Sequence, residues 1–187
     1  MQSIRPMTTD EMINEYSAQT LGAIYLMYSN KYFGQMLVLI YSAVDSMGLL
    51  DASPVQVEAD GVSFKAWVKK YLLPQDASFE FNEVDFWAAR CSVLHTYTSR
   101  SKLSRNGKAK QIQYYSGDKT SIFASAFVAA TRDIDGGSHI PAHLEDTFLA
   151  FCKGVEVFIV RLAKNCKADP VYDARMHQIL QKYRMPV

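Results

Sequence analysis

Arg90 and His95 stand five positions apart in ARCSVLHTYTSRSKLSR, the stretch from Ala89 to Arg105. An arginine can hold the oxyanions of a phosphoryl transition state, and a histidine can move protons near neutral pH. Between Asp85 and Asp118 the chain carries no acidic residue. Arg90, Arg100, Lys102, Arg105, Lys108 and Lys110 all fall inside that window, with Tyr97, Tyr114 and Tyr115 interleaved. Cations spaced among aromatic rings bind phosphates electrostatically and stack bases, as proteins that hold single-stranded nucleic acid commonly do. A solvated basic loop has the same composition, so the strip alone leaves both readings open.

The pair of Arg90 and His95 narrows the chemistry. Internal transesterification of RNA needs a base for the 2′-hydroxyl, an acid for the leaving oxygen and positive charge for the phosphorane, and it needs no metal. The spacing by itself is weak, because the chain has eight arginines and four histidines and a second match runs from Arg132 to His139 across RDIDGGSH. That second match, in a glycine loop, reads as coincidence. At about 100° per residue, five positions set two side chains roughly 140° apart on a regular helix. Arg90 and His95 therefore converge only where the helix ends near His95 or where a second subunit completes the site. His95 falls nearer the apolar side with Cys91, which also fits a core or interface histidine.

The elements that must position these residues are mostly helical. Val84, Trp87, Ala88, Cys91 and Leu94 recur on one face and predict a helix from about Glu83 to Tyr97. Thr8-x-x-Glu11 has the form of a capping box and opens a first helix that runs to Ser29-Asn30. The stretch from about Tyr32 to Leu50 is apolar nearly all round, as a central helix must be. Phe64, Trp67, Val68, Tyr71 and Leu72 mark a short amphipathic helix halted before Pro74. After the Asn106-Gly107 turn, KQIQYY alternates and suggests a small hairpin or strand pair. SIFASAFVAA fits strand or helix. Pro141 is read as the start of a long helix with its apolar stripe from Leu144 to Leu162, and Asp169-Pro170 as the cap of a last one reaching about Tyr183. The fold class is mainly α: one helical bundle spanning residues 1–187, with a basic loop and a small β-hairpin insertion at about 99–125.

Asp45 is the one carboxylate between Lys31 and Asp51, in the helix expected to be most buried. A buried charge without a partner costs several kcal/mol, so Asp45 is expected to contact Arg90 or the His95 region.

Bulk properties limit the rest. A chain of 187 residues, 49% hydrophobic, can bury a core in one domain. A net charge of +1 confines anion binding to a local patch. The N-terminus lacks the pattern of a secretory signal, and the most apolar segment is interrupted by Gln35 and Asp45, so a soluble cytoplasmic protein without membrane contact is expected. Cys91, Cys152 and Cys166 have neither disulfide-framework nor zinc spacing. No phosphate loop, nucleophile elbow or dinucleotide fingerprint is present, and no cofactor is implied. His139 and His143, with Asp133, Asp135, Glu145 and Asp146 nearby, form the one conceivable metal cluster, which reads more simply as a solvated helix start, leaving no metal in the preferred assignment.

RCSVLH, late in a helix that follows an apolar one ending in SAVDSMG, resembles the HEPN superfamily and its Arg-x4-6-His motif. The resemblance covers about Met7 to Thr98. It implies a helical bundle, usually dimeric, with paired motifs lining an interface cleft, and often a metal-independent ribonuclease of toxin–antitoxin or phage-defence systems. It would make Arg90 the ligand of the scissile phosphate and His95 the general base or acid. Active members often carry a polar residue after the arginine, commonly asparagine, where this chain has Cys91. Two readings follow: a homodimeric endoribonuclease with Arg90 and His95 at a composite site, supported by Asp45 and guided to RNA by Tyr97, Arg100, Lys102, Arg105, Lys108 and Lys110; or a noncatalytic helical module binding RNA or a protein partner such as an antitoxin.

Overall fold

Thr8 caps the first helix as its spacing predicts: its hydroxyl accepts from Glu11 N at 3.3 Å, and the Glu11 carboxylate accepts from Thr8 N at 2.8 Å. The computed structural model describes residues 7–96 and 101–180, the side chains of His95 and Thr96 excepted. The helix so capped, α1 (Thr9–Ser29), turns back through Lys31, at φ 59°, into α2 (Phe33–Asp51). Met36, Ile40, Tyr41, Val44, Met47 and Leu50 of α2 are fully buried, which explains why the segment is apolar nearly all round. By length and composition α2 could cross a membrane, but just over half of it is covered by the rest of the fold, as befits a core helix.

Two glycines set how closely the helices pack. A Cβ at Gly48 of α2 would lie 2.8 Å from the carbonyl oxygen of Ser63, in α3 (Gly61–Trp67). A Cβ at Gly154 of α7 (Leu144–Ala168) would meet the Tyr71 carbonyl at the same distance. The chain from Val68 to Leu72 is a π turn followed by a 3₁₀ turn, Leu73–Gln75, that contains Pro74. Pro74 has no N–H to donate, so the α-helix widens before it, and the Gln75 side chain caps the Tyr71 carbonyl at 2.9 Å. Around this knot Trp67, Tyr71, Phe151 and Phe158 pack ring against ring.

The protein is mainly helical with a small sheet. The sheet is not the expected hairpin, however. β1 (Gln111–Tyr115) pairs in parallel with β2 (His139–His143), in the register Gln111 to His139 and Tyr115 to His143. Parallel strands need a crossover, and SIFASAFVAA supplies it as α6 (Ile122–Asp133). Pro141 accordingly lies in β2 instead of starting the long helix, which begins at Leu144. In a two-stranded sheet each strand is an edge, where proline is tolerated, and burial of Ile140 and Ala142 outweighs its preference for a first helical turn. The last helix, α8 (Pro170–Ile179), starts as predicted with Asp169 accepting from Val171 N at 2.9 Å. It ends at Ile179 with Leu180 as its C-cap, short of the expected end at about Tyr183, which lies outside the described residues.

Candidate functional site

α4 (Glu83–Thr96) carries Arg90 and is anchored at its start by a carboxylate. Asp85, 3% exposed, accepts from Asn82 N at 3.0 Å through one oxygen and from Lys110 N at 2.6 Å through the other. The last acid before the acid-free window therefore pins the basic segment's far end to the base of α4. Between these points lies α5 (Lys102–Arg105), one turn capped by Ser101.

Arg90 projects toward α2, where its Nε and Nη2 donate to a single oxygen of Asp45 at 3.0 and 2.6 Å. The two side chains are 20% and 18% exposed, so the pair sits at the mouth of the α2–α4 seam and is only partly desolvated. The guanidinium also lies 4.9 Å from the centre of the Trp87 ring, one turn earlier on α4. Trp87 in turn packs on Gly61, where a Cβ would be 2.9 Å from the indole. The expected contact between Asp45 and Arg90 is thus present, and Trp87 forms an aromatic floor beneath the guanidinium. Cys91 follows Arg90 half-buried. Its thiol is pushed above its usual pKa mainly by burial, with the Arg90 charge acting in the opposite direction. That environment makes Cys91 a packed thiol and not a nucleophile.

His95 lies in α4, whose described part runs to Thr96. Its side chain lies outside the described part of the structure, as do Tyr97 and Arg100.

Lys102, Arg105, Lys108 and Lys110 are all exposed, and none forms an ion pair among the described residues. Lys108 and Lys110 line a groove of about 480 Å³ with Asn82, Gly107 and Gly137. Both acids on its wall are already engaged, Asp85 as above and Glu80 with Arg132. The interleaved tyrosines are a different matter. The Tyr114 hydroxyl meets that of Tyr41 at 2.7 Å inside the protein, where burial raises its pKa. The Tyr115 ring packs against Phe127 and His143. Neither is presented for stacking, because strand pairing turns both toward neighbouring elements.

His139 and His143 occupy the two ends of β2. Three strand residues lie between them, which sets their Cα atoms roughly 13 Å apart. Among the described residues no group of three His, Cys, Asp or Glu side chains could hold a metal ion. His143 instead lies 2.8 Å from the Gly117 carbonyl and 3.0 Å from Glu145. His139, whose spacing from Arg132 across the glycine loop read as coincidence, lines one cavity of about 260 Å³ with Arg105. The sequence signal was the glycine pair, Gly136 and Gly137, whose positive φ values of 64° and 87° turn the chain back. The Ser138 carbonyl then accepts from Gln111 N at 2.9 Å.

No family model, curated protein or solved structure matches this chain.

Proposed function

We propose that the protein is an HEPN-like RNA-binding protein that works as a cytoplasmic homodimer and cleaves RNA without a metal, as a toxin or defence component. The observation that carries the reading is the placement of Arg90. It is oriented by Asp45 and Trp87 on the helix that also carries His95, and Lys102, Arg105, Lys108 and Lys110, which follow in sequence, form no ion pair among the described residues. In the reaction, His95 takes the proton of a 2′-hydroxyl, and that oxygen attacks the adjacent phosphorus. The 5′-oxygen leaves with a proton from the matching histidine of the second copy, while Arg90 neutralises the phosphorane. The products are a 2′,3′-cyclic phosphate and a 5′-hydroxyl. Cations at Arg100, Lys102, Arg105, Lys108 and Lys110, with the Tyr97 ring, hold the strand.

One observation favours a second reading. Asp45 already offsets the Arg90 charge, and an arginine committed to a helix–helix ion pair suits a noncatalytic module for RNA or a protein partner such as an antitoxin. Cleavage of single-stranded RNA in excess EDTA separates the two: the first reading requires it, and the second requires binding without it.

A further inference from the structure

α6, the crossover helix, turns its large apolar side chains away from the protein. Its buried residues are Ala124 and Thr131, one small and one polar, whereas Ile122 and Phe123 are 85% and 87% exposed. At about 100° per residue, Ile122, Ala126 and Ala129 run along the centre of the outer face, with Phe123 and Ala130 beside them and Phe127 at the margin. All six are exposed, and no described residue covers them. The chain has no charged residue between Lys119 and Arg132, so nothing on this face needs water over almost its whole length. A chain on its own forgoes the burial of the two bulkiest groups at the start of the helix.

The face is complementary to a copy of itself. Its bulk lies in the first turn, at Ile122 and Phe123, and its space lies further on, at Ala126, Ala129 and Ala130. In antiparallel pairing about a two-fold axis near Ala126, each Phe123 falls on the partner's Ala129 and each Ile122 on the partner's Ala130, so bulk meets space at both ends. Charge points the same way. Asp133, exposed and without a partner among the described residues, ends α6 at its negative pole, where an acid is disfavoured. Antiparallel pairing sets that carboxylate beside the positive start of the partner helix. With aromatic side chains offering about 150–250 Å² each, the face exposes roughly 500 Å² of apolar surface. Two copies therefore bury about 1,000 Å² in all, the area a specific interface needs. A lipid surface fits less well, because the flanking cations Lys119 and Arg132 are held by Asp146 and Glu80, and Asp133 would face anionic headgroups. We infer that two copies of the chain pair through antiparallel α6 helices, with Phe123 as the anchor. The inference rests on the homodimer reading above, to which it assigns a contact surface, and it does not depend on RNA cleavage.

Sedimentation equilibrium of the full-length protein over a concentration series tests the assignment. Wild type is expected at twice the mass of one chain. Phe123→Glu is expected to raise the dimer dissociation constant about a hundredfold, the loss typical of a central aromatic anchor. Because Phe123 is exposed, the variant keeps its fold, seen as an unchanged far-ultraviolet circular dichroism spectrum. Ala126→Cys, oxidised with glutathione disulfide, is expected to give a disulfide-linked dimer, since the two-fold axis brings the paired Cα atoms within the roughly 7 Å a disulfide spans. Wild type, with Cys91, Cys152 and Cys166, should give none. A Phe123→Glu variant as dimeric as wild type overturns the α6 contact and leaves the homodimer reading intact. Wild type that is monomeric at every concentration overturns both. Loss of the dimer in Phe123→Glu with no bridge in Ala126→Cys overturns the antiparallel register. Monomeric wild type that floats with phosphatidylcholine–phosphatidylserine vesicles, while Phe123→Glu does not, overturns the pairing and marks the face as membrane-binding.

Discussion

Arg90 and Asp45 share one oxygen: the guanidinium's Nε and Nη2 both donate to Asp45 Oδ2, at 3.0 and 2.6 Å, across the seam between α4 and α2. Forty-five residues separate the partners in sequence, so the contact fixes the relative placement of the two helices as well as the direction of the guanidinium. A double-mutant cycle with Arg90→Ala and Asp45→Ala should give a coupling energy of about 1–2 kcal/mol in urea denaturation, since the pair is partly desolvated and charge-assisted. Additive losses would mean the pair contributes nothing beyond its parts.

Arg175 carries a larger share of stability. It is 8% exposed on α8, and its two terminal nitrogens donate to five carbonyls, those of Leu49, Ala52, Ser53, Pro54 and Gln56. These are the end of α2 and the loop after it; the Leu49 and Ser53 carbonyls also accept from Ala52 N and Gln56 N. Arg175→Ala should cost about 3 kcal/mol or more, with faster amide exchange in residues 52–57. Arg175→Lys should recover little, because an ammonium lacks the planar fork.

Gly154→Ala tests the packing of α7 on the π turn. The added methyl would sit 2.8 Å from the Tyr71 carbonyl oxygen and 3.1 Å from its carbon, both backbone atoms that cannot rotate away. The expected cost is about 1–3 kcal/mol, a drop of roughly 3–9 °C in Tm by calorimetry. An unchanged Tm would show that α7 can shift outward freely.

Much of the helical scaffold was legible in the sequence because local signals and burial agree there. The Thr8–Glu11 box, the Asp169-Pro170 start and the apolar α2 each require the same local geometry that tertiary packing rewards. The sheet was misread because hairpin signals are local, whereas β1 pairs with a strand that begins 24 residues after it ends. Pro141 carried a strong helix-start signal that burial of its neighbours overrode. That Asp45 would contact Arg90 or the His95 region was legible from charge, since a lone carboxylate in an apolar helix needs a partner; the partner is Arg90. The cavity at His139 could not be read, because it depends on a loop conformation and on the parallel register together.

Acid stability offers a separate check. Asp60, Asp76 and Asp118 are held below their ordinary value of 3.8, chiefly by hydrogen bonds from Ser63 N, from the Ser78 side chain and from the Thr120 side chain respectively. A carboxylate with a depressed folded pKa stabilises the protein above its unfolded pKa and loses that contribution as pH falls through the folded value. The urea midpoint should therefore fall as pH is lowered from about 5 to about 3. The fall should be shallower in a variant combining Asp76→Asn and Asp118→Asn. An equally steep fall in that variant would assign the acid sensitivity to other carboxylates.

Whether the protein cleaves RNA without a metal is decided by incubating labelled single-stranded RNA with wild-type protein and with a folded His95→Ala variant, both in excess EDTA. Cleavage by the wild type is expected to leave 2′,3′-cyclic phosphate ends and to disappear in the variant. RNA bound by both proteins but cut by neither, or cut equally by both, would contradict it.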